Sequence, residues 1–244
     1  MTKPVLINAR VVFKASCSAI LLLVAIHGLV VSCWTWGSCG VATPFAMNFG
    51  GLFDLNQEMN VPTWFSVTQL GAVTATLWCI SCAAKARGQR PLPWNGLVVL
   101  FLYLSIDEMT DIHGLWGSAY LGQPIAAPVV NGFAWLVPAG VVVAVVVAIY
   151  LRWVLSLPSV TRNLFILAGA VFVTGGLGFE LVGKEVADAT FFNPAYILAS
   201  TLEEMLEMLG VAIMLYAAIN HLQMMGVTLA FTKTPAKGKP AGRL

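Results

Sequence analysis

Six stretches of the chain run apolar for helix-like lengths, at 11–34, 62–84, 94–113, 132–154, 164–182 and 194–222. Each begins or ends near a proline, a glycine, a tryptophan or a charge. A helix rising ~1.5 Å per residue crosses a hydrocarbon layer in about 20 residues, so every stretch is long enough to span a bilayer. The last has length to spare for tilt. No run alternates with period two, which argues against a membrane barrel. The pattern predicts an all-α, polytopic membrane bundle of six transmembrane helices with both termini inside. It makes one domain over residues 1–230, and the Lys-, Pro- and Gly-rich tail at 231–244 reads as disordered. The first stretch has the basic start and apolar centre of a signal peptide. It is longer than a signal core and is read as a retained span.

Composition narrows the class further. Hydrophobic residues make up 59% of the 244 and charged residues 10%, against about 25% charged in soluble domains. That excludes a soluble domain and a disordered chain alike. A net charge of +2 with no basic face gives no case for nucleic acid. With the N-terminus placed in the cytoplasm, every Lys and Arg except Lys184 falls on the inner side, a positive-inside pattern. The expected location is a bacterial inner membrane, multi-pass, with both termini cytoplasmic. The basic tail is read as a topology anchor, with contact to anionic lipid the alternative. The chain has no dinucleotide loop, phosphate loop, HExxH or GxSxG motif and no internal repeat. The run Gly175-Gly176-Leu177-Gly178 reads as a place where helices approach closely.

Placing the 11 acidic residues on this topology changes the picture, because none faces the cytoplasm. Asp54, Glu185 and Asp188 are read as ordinary outer-loop residues. Glu58 precedes the second span, Asp107, Glu108 and Asp111 end the third, and Glu180 lies near the outer end of the fifth. Glu203, Glu204 and Glu207 lie roughly 10–20 Å into the sixth. Four separate segments thus bring carboxylates to the outer part of one bundle. A carboxylate at membrane depth costs at least ~2.5–3.5 kcal/mol, several together repel one another, and no Lys or Arg is at hand. Protons, water or bound cations are the remedies, and clustered carboxylates suit hard or borderline metals.

Helical spacing puts Glu203, Glu204 and Glu207 within about a 100° arc, and Asp107, Glu108 and Asp111 likewise. His113 lies about 140° from Glu108 on an ideal helix, so it joins the cluster only if the helix unwinds near Gly114. His27 falls in the outer half of the first span, either as a packing histidine or as a second imidazole ligand. His221 falls at the inner end of the sixth, far from the acids. Three-His zinc chemistry is therefore disfavoured. A carboxylate-rich di-metal site of iron or manganese fits better, with zinc the alternative, although the usual Glu-x-x-His pair is absent.

The strings FDLNQEMNVPTWFS (53–66), LSIDEMTDIHG (104–114), GFELVG (178–183) and TLEEMLEMLG (201–210) resemble an uncharacterised group of bacterial six-span membrane proteins. The resemblance covers most of the chain from residue 53. It implies that Glu58, Asp107, Glu108, His113, Glu180, Glu203, Glu204 and Glu207 act together, and it brings no activity with it. The sequence departs from the group's pattern at Gly114, where that pattern has Glu.

Three functions follow as expectations. The first is a membrane metalloenzyme with Glu58, Glu108, His113, Glu180, Glu204, Glu207 and His27 as metal ligands. Asp107 and Glu203 would be catalytic proton carriers beside them. Its substrate is apolar or lipid-like, and its chemistry redox, with hydrolysis the runner-up. The second is a proton- or cation-coupled transporter, and the third an accessory subunit of a larger membrane complex. Glu203 has an alternative partner in Thr201. Cys33 and Cys39 are candidates for an outer disulfide, whereas Cys79 and Cys82 read as packing residues. Trp34, Trp36, Trp64, Trp94, Trp116 and Trp135 fall near span boundaries, as an aromatic belt does.

Overall fold

A computed structural model describes residues 5–36, 49–113, 135–187, 193–227 and 230–231. The described chain is helical apart from one pair of two-residue strands. Its helices are α1 (Ala9–Trp36), α2 (Val61–Ala86), α3 (Leu92–Thr110), α4 (Leu136–Ser156), α5 (Ser159–Val173), α6 (Glu180–Val186) and α7 (Pro194–Met224). A π-helical turn, Thr174–Phe179, joins α5 to α6, so residues 159–186 run as one rod. Five helices are long and apolar enough to cross a membrane: α1, α2, α4, the α5–α6 rod and α7. The stretch at 94–113 is a shorter helix, α3, packed against α2. The 132–154 stretch becomes helical at Leu136, and the fifth begins at Ser159, earlier than its apolar run suggests.

Local signals explain the boundaries. Asn60 caps α2 by accepting the Thr63 N–H at 3.1 Å, and Pro62 occupies the first turn, where no N–H is needed. Gly88 at φ 71° closes the other end of α2, with its N–H on the Lys85 carbonyl and that of Gln89 on Ala84. This is the left-handed stop that glycine permits, and it turns the chain back after a few residues so that α3 lies along α2. Asn193 caps α7 in the manner of Asn60, donating its side-chain amide to the Val186 carbonyl at 3.0 Å and accepting the Tyr196 N–H at 2.9 Å.

The most buried helix is α7, packed against α1, α2, the α5–α6 rod and the π-turn. Leu70, Val73, Leu77 and Ile80 of α2 meet Val211, Leu215, Ala218 and Leu222 of α7 in the main core, with Phe165 and Ala168 of α5 on its other side. Apolar burial is worth about 25 cal/mol per Å² against water; between helices in lipid, close packing takes over. Close packing is visible at Gly210, where an added Cβ would stand 2.8 Å from the Phe172 backbone nitrogen. By contrast α4 buries none of its residues.

Val5–Leu6 pairs antiparallel with Ala230–Phe231, and the Gln223 side chain donates to the Ile7 carbonyl at 3.0 Å. The start of α1 and the end of α7 therefore lie at the same end of the bundle. Residues 232–244, which include most of the tail, lie outside the described residues, as do Cys39 and Trp116. Cys33 is disulfide-bonded, and Cys17, Cys79 and Cys82 are free. Trp94 departs from the aromatic-belt reading. It is 5% exposed and packs edge-on against Trp153 and Phe165, because its side of α3 faces α4, α5 and His221 of α7 rather than the surface.

Candidate functional site

A cavity of about 470 Å³ opens between α2, α3, α4, the π-turn and α7. Seven carboxyl side chains line it, from Glu58, Asp107, Glu108, Glu180, Glu203, Glu204 and Glu207, together with His113. No Lys or Arg does. Of the site residues the sequence singles out, the fold brings all but His27 to this one space.

Each arrives by a local device. The Asn60 cap holds the turn before α2 by donating to the carbonyls of Asp54 at 2.6 Å and Gln57 at 2.8 Å. Thr63 in the first turn of α2 then donates its hydroxyl to Glu58 at 3.3 Å. Glu58 remains accessible at the mouth of the cavity. Loss of surrounding water pushes its carboxyl above the ordinary range; Asp111 and Asp107 add to this, and His113 and the Thr63 bond oppose it. Ser66, one turn further along α2, hydrogen-bonds Glu108 across the helix interface.

The end of α3 resolves the difficulty with His113. Asp111 takes a left-handed conformation, φ 51°, and its N–H reaches the Asp107 carbonyl at 2.8 Å. The helix stops there, earlier than at Gly114, and the chain folds back. The Asp107 carboxylate then accepts both the His113 N–H at 2.9 Å and the ring Nδ1 at 3.1 Å, while Asp111 lies 3.3 Å from Nε2. A ring that an ideal helix would carry away is thus turned into the cavity. Trp135 packs on it with ring centres 4.8 Å apart and donates its indole N–H to Glu180 at 3.3 Å.

The π-turn does similar work for the rod. One extra residue in a helical turn advances the register by about 100°, which brings Glu180 to the cavity side. Gly175 and Gly176 face α7 directly. A Cβ on Gly175 would lie 2.8 Å from the Glu203 carbonyl oxygen, and one on Gly176 would overlap the Glu207 carboxylate. The glycine-rich run does permit close helix approach, and what it admits is the carboxylate of Glu207. On α7, Glu203, Glu204 and Glu207 are half-buried and line the cavity. Glu203 hydrogen-bonds Glu180.

Other expectations fare differently. Thr201 is not the partner of Glu203. It accepts the His27 Nε2–H at 3.1 Å and donates to the Ile197 carbonyl at 2.6 Å. His27 accepts the Leu55 N–H at Nδ1, 3.1 Å, so both ring nitrogens are engaged away from the cavity and it is 2% exposed. His27 is absent from the cavity lining and packs α1 against α7, so it is not placed to serve as the second imidazole ligand. Asp54 is no ordinary loop residue either. It is buried, with its carboxylate 3.4 Å from His27. Among the described residues, no group of three or more His, Cys, Asp or Glu stands in an arrangement that could hold a metal ion.

Sequence reasoning passed over Tyr103, Tyr196, Asn56 and Trp135, which also line the cavity. A signal for two of them was available: Tyr103 precedes Asp107 by one turn and Tyr196 precedes Glu203 by two, so each pair shares a helix face.

No curated protein and no solved structure matches the chain. A family model described as "Domain of unknown function (DUF8692)" matches residues 18–221, and the chain belongs to that family.

Proposed function

For this member of the family, we propose an integral membrane metalloenzyme of the bacterial inner membrane that acts on an apolar substrate through a carboxylate- and histidine-bound metal pair. The observation that carries the reading is the meeting of seven carboxyls and one imidazole around one cavity with no basic side chain among them. Such a cluster in a low-dielectric bundle is stable only with protons or cations in it. Carboxylate oxygens with one imidazole suit iron or manganese. Glu58, Glu108, His113, Glu180, Glu204 and Glu207 would hold the metals, and binding would draw their side chains together. Iron or manganese would supply redox chemistry, with metal-assisted hydrolysis the alternative. Asp107 orients His113 through one hydrogen bond to its backbone N–H and one to its ring, and the Glu180 and Glu203 carboxyls lie together beside the cavity, where they would carry protons to and from the reaction. The distribution of Lys and Arg supports six spans with both termini cytoplasmic and the cavity toward the periplasm. The pairing of Val5–Leu6 with Ala230–Phe231 fits an even number of crossings.

Elemental analysis of the full chain purified without chelator tests this. Wild type is expected to carry iron or manganese and Glu204→Ala to lose it. Equal trace amounts in both would end the metal reading.

A proton-coupled transporter is the second reading, favoured by the adjacent Glu180 and Glu203 carboxyls inside the bundle. It predicts proteoliposome flux that disappears in Glu207→Gln without any bound metal.

A further inference from the structure

The wall of the acid cavity continues into a second cavity of about 530 Å³ among α3, α4, α5 and α7. Leu104, Val142, Val143, Phe172 and Val173 line both. The character of the lining changes abruptly at that shared wall. In the second cavity the side chains are apolar apart from the Tyr150 hydroxyl, and that group is already committed, donating to the Pro93 carbonyl at 3.2 Å. Along α4 the lining runs from Val142 to Val154, about 18 Å at ~1.5 Å per residue. The space is long and narrow rather than round. It is also open to filling. A Cβ built on Gly169, in its far wall, meets no atom within 4 Å, and α4 stands in front of it without burying a residue. Water has no partners in such a lining, and an apolar volume of this size is typical of ligand sites.

We propose that the two cavities form one binding site for a single-chain amphiphile. Its hydrocarbon tail fills the apolar cavity. Its head lies among the carboxyls, donates hydrogen bonds and carries no negative charge, as in a long-chain alcohol or amine. The tail follows from the length and lining of the second cavity, and the head from charge complementarity in the first. Among the described residues the lining has seven carboxyls and no Lys or Arg, more acid groups than two divalent cations would offset, which disfavours a phosphate or carboxylate head, whereas a hydroxyl or ammonium group finds acceptors on several sides. Entry is lateral, between α4 and its neighbours, where the bundle is least closed. This deepens the enzyme reading by naming its substrate class; it rests on that reading only for the claim that the ligand is transformed.

Binding of labelled hexadecanol, hexadecylamine and palmitate to the full-length, delipidated protein in amphipol tests it. The alcohol or the amine is expected to bind saturably, and palmitate about tenfold or more weakly, because only the head differs. Gly169→Phe adds a ring to the wall of the tail site at a position where the new Cβ meets no atom within 4 Å, and is expected to weaken binding about tenfold or more. The matching substitution Gly28→Phe lies on an exposed face of α1, where an added Cβ also meets nothing within 4 Å, and is expected to leave binding unchanged. Bound metal is measured on the same samples and is expected to be equal in Gly169→Phe and wild type. Equal binding of all three probes would mean a bilayer lipid chain slipping in from the side, and would overturn the proposal. So would wild-type affinity in Gly169→Phe. Selective binding in a protein that holds no metal would leave the amphiphile site standing and remove the metalloenzyme reading.

Discussion

The two ends of the bundle treat buried polar groups in opposite ways. At the end that holds the termini, His221 and Ser81 have neutral partners. His221 bonds the Thr161 hydroxyl at 2.9 Å and lies against Trp94, and Ser81 bonds Asn95 at 2.5 Å. The polar atoms there pin α7 to α5 and α2 to α3. At the other end acids face acids around a cavity, and their hydrogen bonds run to one another or to side chains at the rim. A pair of neutral groups contributes about 1 kcal/mol and asks for nothing further. A set of like charges is unstable until something positive joins it. The first arrangement serves the fold. The second costs the fold something and makes sense as a place for a ligand.

Substitutions can break or sharpen this contrast. The largest effect is expected where both ends depend on one contact. Gly210→Leu would drive a side chain into the Phe172 backbone, cost about 3 kcal/mol, and lower the yield of folded protein in size-exclusion chromatography. Next come two replacements of opposite sign. His221→Leu leaves Thr161 unpaired in the core and is expected to cost about 1–3 kcal/mol. Glu204→Leu in metal-free protein removes a repelled carboxyl and is expected to add about 1–3 kcal/mol. Thermal unfolding in detergent reads both, and a loss of Tm in each would erase the distinction between the ends. A smaller change is expected for Gly176→Ala. The group it displaces is the flexible tip of Glu207, so stability should move by about 1 kcal/mol or less, while bound metal, read by elemental analysis, should fall. Least of all, Thr68→Val on the exposed face of α2 removes only a bond to the Trp64 carbonyl and should stay within about 0.5 kcal/mol.

Much of the site was legible before any coordinates, because charge in an apolar chain is rare enough to be conspicuous. Glu203, Glu204 and Glu207 share a helix face by spacing alone, and Glu58, Glu108 and Glu180 stand at matching depth once the spans are laid out. What escaped that reasoning were departures from ideal helices. The left-handed stop at Asp111 swings His113 inward, and the π-turn at Thr174–Phe179 turns Glu180 and opens a gap for Glu207. Neither follows from hydrophobic periodicity, which assumes a constant ~100° per residue. For His27 the sequence left helix packing and ligation open, and the fold chose packing. Its depth suited a ligand, but its two bonds go to Leu55 and Thr201, far away in sequence.

The sequence by itself determined the helical membrane class, the approximate spans and the gathering of acids at one end, since all three come from local composition and from the cost of charge in hydrocarbon. Only the tertiary structure decided which polar groups are spent on holding helices together, and that an apolar cavity adjoins the acid one. Partners and empty volumes are set by how separate helices pack, and no single stretch of chain contains that information.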